Sequence, residues 1–163
     1  YQWDTRQTGL SLALVGLMAA IVQGGLTRVI IPRIGERNAA VGGLAVMAIS
    51  MIGYGLATEG WTVYLIIIFG SLSGIAVPAI QGMVSITVGE DEQGEVQGSL
   101  TSLQSVAGFI GPITATAIFG FFISERAPAI VPGASFFFSS ALAVMAAFLA
   151  ARSFRVTRQS RVG

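Results

Sequence analysis

The sequence predicts an all-α membrane protein with five transmembrane helices, and three observations point there. Of its 163 residues 53% are hydrophobic and only 10% are charged, with a mean hydropathy of +0.77, whereas an ordinary soluble domain is roughly 25% charged. The charged residues are gathered at intervals, which leaves uncharged runs at 7–27, 38–58, 60–89, 96–124 and 127–151. Each run supplies the roughly 20 residues with which a helix, rising about 1.5 Å per residue, crosses about 30 Å of hydrocarbon. The alternating pattern of a membrane β-barrel is absent, so backbone groups in lipid have to be satisfied within helices.

The first helix is expected at about 7–31. Gly9, Ala13, Gly16, Ala20, Gln23 and Thr27 recur along it at spacings of three and four, which puts them on one face. The second, about 38–58, shows a weaker stripe of Gly43, Ser50, Gly53 and Ala57. The third, about 61–88, aligns Gly70, Gly74, Pro78, Gln81 and Ser85, and Pro78 is expected to kink it. The fourth, about 96–124, is the most polar, with Gln97, Thr101, Gln104, Ser105, Gly108, Gly111, Pro112, Ala115 and Thr116 on one broad face. The fifth, about 130–151, follows a turn marked by Pro128, Pro132 and Gly133, and a basic tail occupies 152–163.

Two readings of these stripes stay open. Helices in lipid associate through small residues that let backbones approach and through polar side chains that hydrogen-bond across, so the stripes serve as packing faces on the first reading. On the second, the amides and hydroxyls line a water-accessible path near the midplane, and a soft, uncharged lining suits a solute that is largely apolar with a few polar groups.

The charges give an orientation. Nine arginines and eight acids sum to +1, too balanced for a nucleic-acid partner, which requires a basic face. Arg28, Arg33 and Arg37 sit in the first loop and Arg152, Arg155, Arg158 and Arg161 in the tail, while only Arg6 and Arg126 fall on the other side. Basic residues in short loops favour the cytoplasm, so the tail is expected inside and the N-terminal end outside. Arg28 reads as an anchor that snorkels to the interface. The acidic loop around Glu90, Asp91, Glu92 and Glu95 reads as a solvated turn, because the alternating ligand spacing of a calcium loop is missing.

Composition also removes most chemistry. With no Cys and no His there is no thiolate nucleophile, His-based triad, His-ligated metal or common physiological-pH switch. No phosphate-binding Gly-rich loop, dinucleotide fingerprint or nucleophile elbow occurs. The expectation is a protein that is not an enzyme and uses no cofactor and no metal. None of the five runs contains a charged residue, the default pointer to a proton or ion pathway.

Particular segments then resemble a family. Arg33-Ile34-Gly35-Glu36-Arg37 is similar to the cytoplasmic loop joining paired helices in the major facilitator superfamily, with Arg28 and Pro32 standing where the fuller motif has Gly and Asp. The runs Gly74-Ile75-Ala76-Val77-Pro78-Ala79-Ile80-Gln81-Gly82, Gln93-Gly94-Glu95-Val96-Gln97-Gly98-Ser99-Leu100 and Gly108-Phe109-Ile110-Gly111-Pro112 look like the C-terminal half of the tetracycline-efflux branch of drug:proton antiporters. So do Trp3-Asp4 and Glu59-Gly60-Trp61, and the likeness runs from Trp3 to about Phe121.

The resemblance implies that the five spans are the eighth to twelfth helices of a twelve-helix transporter, part of its C-terminal six-helix bundle. It places the chain in a bacterial inner membrane, with the lipid bilayer, a drug-like small molecule and protons as partners, and it implies an N-terminal half missing from this sequence. Gln23 and Gln81 fall where that branch also tends to carry Gln and are the expected substrate path, with Gln104 next and Ser85, Thr101 and Ser105 of the polar stripes beside them. Gly16, Gly70, Gly74, Pro78, Gly108, Gly111 and Pro112 are expected to serve helix packing or gating, and Arg33, Gly35, Glu36 and Arg37 form the loop motif. Tetracycline exporters of this branch typically carry an aspartate twelve residues beyond the Gly of that loop, and here the position is Met47. A transporter of another metabolite, such as a sugar or organic acid, and a non-transporting remnant are the alternatives.

Overall fold

The computed structural model describes residues 3–124, 127 and 130–159, so Arg126, Pro128 and Arg161 lie outside the described residues. Five helices within them are long and apolar enough to cross a membrane. They are α1 (Thr5–Ile34), α2 (Glu36–Leu56), α3 (Gly60–Ile86), α4 (Gln93–Phe122) and α5 (Ala134–Gln159), the apolar part of α5 ending at Ser153. No strand occurs among the described residues.

Local chemistry sets the helix ends. Asp4 caps α1: its Oδ1 accepts from the Gln7 backbone N–H at 2.7 Å, while the Gln7 side chain accepts from the Asp4 N–H at 3.1 Å, a reciprocal pair that satisfies two donors of the first turn. α1 runs through Pro32 to Ile34 and stops at Gly35, whose φ of 81° and ψ of 152° belong to a region open essentially to glycine alone. The chain reverses there, and Glu36 opens α2 with its carboxylate near the positive end of the helix dipole. α5 starts at Ala134, later than the expected 130, because residues 131–133 form a turn. Its Val131 N–H donates to Phe122 O at 3.1 Å and its Val131 O accepts from Ala134 N–H at 3.1 Å. Gly133 lies against the Gly55 carbonyl, where no Cβ fits.

Two helices depart from α geometry near their middles. In α1, Val22–Leu26 form a π-turn, and in α3, Leu72–Ile75 form a 3₁₀ turn. The second follows from Pro78, which has no N–H for the Gly74 carbonyl four residues back and whose ring crowds it. The expected kink thus takes the form of a tightened turn just before the proline. The two irregular segments face each other, with Val22, 1% exposed, reaching Gly74.

α2 is the central helix and packs mainly on α5 and α3. The core against α3 and the second half of α1 is built of Val22, Ala39, Ala40, Ile75 and Ala79, with Ile30, Ile31, Leu72, Ile80 and Met83 around it. Alanines and glycines dominate because lipid is as apolar as a leucine side chain, so helices gain only by close van der Waals approach. At Gly43 an added Cβ would stand 2.8 Å from the Ala76 Cβ and 2.9 Å from its backbone nitrogen. Gly53 receives Ile66 and Gly55 receives Phe137 in the same manner. Ser140 of α5 is buried and donates to Ala48 O of α2 at 2.9 Å. α4 leans chiefly on α5 and buries none of its residues, while Leu12, Leu17, Ile49, Leu65, Phe109 and Phe148 form part of an apolar exterior.

The Gly43 contact generates a prediction. Gly43→Val forces α2 and α3 apart and should cost about 1–3 kcal/mol, read as a lower midpoint of unfolding in mixed micelles. Gly42→Val, whose Cβ meets nothing within 4 Å, should leave the midpoint unchanged.

Candidate functional site

A cleft of about 270 Å³ lies between the middle stretches of α1 and α3 and the second half of α2. α1 contributes Val15, Ala19, Val22 and Gln23, α2 contributes Met47, Ser50, Met51 and Tyr54, and α3 contributes Ile67, Gly70, Ser71, Ser73 and Gly74. The helix paths create it. The first half of α1 leans on α3, and the second half meets α2 next to the Gly35 reversal. At the far end Trp3 stacks on Tyr64 with ring centroids 5.4 Å apart, and the Tyr64 hydroxyl donates to Gln7 O at 3.1 Å. Gly60 admits the Trp3 indole, where a side chain would collide with it. α1 is thus pinned to α3 at one end and to α2 at the other, and the cleft forms where the three diverge.

The lining is apolar with a few polar atoms, and none of its residues is charged. The Ser50 and Ser71 hydroxyls spend their protons on Val46 O at 2.8 Å and Ile68 O at 2.7 Å, so they offer acceptor lone pairs to the cleft. The Gln23 amide supplies both donors and an acceptor. Met47, 39% exposed, adds a polarizable thioether to one wall. Tyr54 closes one side and its ring meets Phe136 at 5.6 Å between centroids. Such a site can hold one uncharged, ring-bearing lobe of a larger molecule, since drug-sized ligands fill roughly 300–1,000 Å³.

The structure brings some of the sequence-derived candidates together and separates others. Gln23, Gly70 and Gly74 share the cleft. Gly70 faces Ser50, whose Oγ would stand 2.9 Å from an added Cβ. Gln81 and Ser85 are half-buried on α3, past Pro78 and toward its far end, outside the cleft lining, and Ser85 O accepts from Gln93 Nε2 at 3.4 Å. Thr101, Gln104 and Ser105 lie exposed on α4, apart from Gln23; the Thr101 and Ser105 hydroxyls bond back to Gln97 O and Thr101 O at 2.8 and 2.9 Å. Around Gly16, Gly108 and Gly111 an added Cβ meets nothing within 4 Å, and Pro112 is exposed beside them.

In the loop motif, Arg33 closes α1 and Gly35 makes the reversal, with Arg37 following in the first turn of α2. Glu36 reaches α3, where a Cβ on Gly82 would stand 2.6 Å from its Oε1. Met51, Tyr54, Ser71 and Ser73 are cleft residues that sequence reasoning passed over. The signal for the serines was the compact run Gly70-Ser71-Leu72-Ser73-Gly74, two hydroxyls and two glycines inside an otherwise apolar helix.

A family model described as Major Facilitator Superfamily matches residues 1–112. The chain is 38% identical over 119 residues to the tetracycline resistance protein, class C, of Escherichia coli, and 37% identical over 119 residues to the class G protein of Vibrio anguillarum. Each match covers 73% of this chain and 30% of the relative. The human hippocampus abundant transcript 1 protein is 29% identical over 110 residues, covering 68% of the chain and 22% of that protein. The chain therefore spans about 30% of the length of the resistance proteins it matches. No solved structure matches it.

The cleft can be tested for water, because the chain contains no Cys. A Ser73→Cys or Met47→Cys thiol should react with a charged methanethiosulfonate at least about tenfold faster than Leu12→Cys on the apolar exterior, since the reactive thiolate forms only where water reaches it. Equal rates at the three positions would show the cleft to be sealed.

Proposed function

Since the chain belongs to the major facilitator superfamily, we propose that it forms part of a secondary transporter that exports a drug-like amphipathic molecule in exchange for protons. The observation that carries this reading is the uncharged cleft where a π-turn and a 3₁₀ turn meet in mid-helix. Irregular backbone at membrane depth is tolerated where it lines a cavity, and transporters of many folds build their midplane sites from such interrupted helices. The resemblance to proteins named for tetracycline resistance supports tetracycline as the first cargo to try. Met47 in the wall favours an uncharged ring over a cation-bearing form of that cargo.

On this reading the five helices belong to the C-terminal bundle, and the remaining helices supply the opposite wall and the proton-titrating group. The two bundles rock about the fixed site to alternate access. Gln23 hydrogen-bonds the cargo inside the cleft, and Gln81 serves it further along α3. The Gly35 reversal and the α5 tail face the cytoplasm of a bacterial cell, with Trp3 near the outer surface, as the arginine bias favours.

The test is tetracycline accumulation in cells that express the full-length protein in place of their own pumps. Energised cells should exclude the drug, a protonophore should abolish the exclusion, and Gln23→Leu should cut efflux by about tenfold, the cost of one lost hydrogen bond to a desolvated cargo. Accumulation equal to that of cells without the protein, for tetracycline and for a panel of other amphipathic drugs, would overturn the reading.

A further inference from the structure

The π-turn of α1 has a residue that holds it. In Val22–Leu26 the helix accommodates an extra residue, and both hydrogen-bonding groups of Thr27 reach Val22 O: its backbone N–H donates to Val22 O and Gly25 O, and its Oγ1 donates to Val22 O at 2.8 Å. Within the turn stand Gly24 and Gly25, and an added Cβ at either meets nothing within 4 Å. Close approach therefore does not call for these glycines among the described residues. Their effect is on the backbone, since each weakens a regular α-helix by roughly 1 kcal/mol relative to alanine. Val22, at the start of the turn, is seated on Gly74 of α3, and Gln23 follows it into the cleft.

We propose that Thr27 is the positioning residue of this site: its hydroxyl locks the π register of α1 and so aims Gln23 at the cleft. This rests on the reading that Gln23 lines the substrate path, but the geometric part stands or falls separately. The second half of α1 is tied to α2 through the Gly35 reversal. If the turn relaxes to a regular helix, the segment before it shifts by one residue's rotation against the segment after it, and Gln23 turns by about 100° relative to α2, one residue's share of a 3.6-residue turn. The amide then turns out of the cleft whose opposite wall carries Met47. A threonine hydroxyl bonded to a carbonyl of the preceding turns ordinarily only bends a helix slightly; here, next to two glycines, it decides between two registers.

The experiment separates register from transport. Cysteines introduced by Gln23→Cys and Met47→Cys in the full-length, membrane-embedded protein, cleared of any other cysteines, are cross-linked with a short bismaleimide, and the rate is compared in Thr27, Thr27→Val and Thr27→Ser backgrounds. Val has the shape of Thr without the hydroxyl, so it leaves the packing intact. The cross-linking rate should fall by about threefold or more in Thr27→Val, the yield of one interhelical-strength hydrogen bond, and return in Thr27→Ser. An unchanged rate in Thr27→Val overturns the proposal, and so does an equal fall in both variants, which would assign the effect to packing. Efflux of tetracycline by the single variants, with Gln23 and Met47 intact, is read in parallel. A fall in cross-linking without a fall in efflux would leave Thr27 as the register lock and remove Gln23 from the path.

Discussion

The contact of α2 with α3 at Gly43 and Ala76 is the constraint on which the rest of the bundle depends. There the two backbones come closer than any side chain on α2 allows, and Ala39, Ala40 and Ala79 extend the same close seam. Without a hydrophobic force between helices in lipid, stability has to come from packing density. Once α2 and α3 are drawn together at that point, α1 leans on α3 through its first half and Val22 and reaches α2 through its second half. The cleft opens where α1 passes from one neighbour to the other, so the site is a by-product of where the small residues lie.

Much of this was legible in the sequence. The five spans follow from the placement of charge, because a run without ionisable residues either crosses lipid or is buried, and these runs are too long for the second. The α3 stripe of Gly70 and Gly74 does face a neighbour, in Ser50 and Val22. Other features could not be read. Ser50 and Ser71 satisfy themselves on their own helix and so leave no amphipathic contrast. A periodicity argument sees which residues share a face but not which helix that face meets, which is why the polar side of α4 looked like a partner of Gln23 and Gln81 although the described helices leave it exposed. The π-turn is a change of backbone register, and its sequence trace is limited to two adjacent glycines.

The polar groups of α1, α2 and α3 divide into two kinds. Those at the ends fix geometry: the Asp4–Gln7 cap, the Tyr64–Gln7 bond and the Glu36 carboxylate laid on Gly82. Those at mid-depth are neutral and sit beside irregular backbone. Ionised groups tolerate the interface, where water screens them, whereas amides and hydroxyls can be carried to the centre at lower cost. The distribution of polarity by depth is thus set by solvation, and it leaves the middle of this half-bundle with hydrogen-bonding capacity but no charge.

The Ser140–Ala48 bond has a further consequence. A seam of alanines and glycines is nearly smooth, so sliding one helix along another by a residue, about 1.5 Å, exchanges one set of small contacts for a similar set. Dispersion alone distinguishes such neighbouring alignments poorly. A single hydroxyl that reaches a particular carbonyl makes one alignment unlike its neighbours, and on α5 that hydroxyl belongs to Ser140. The bond acts less as a fastening than as a ruler mark, which gives an otherwise degenerate interface a zero point along its length.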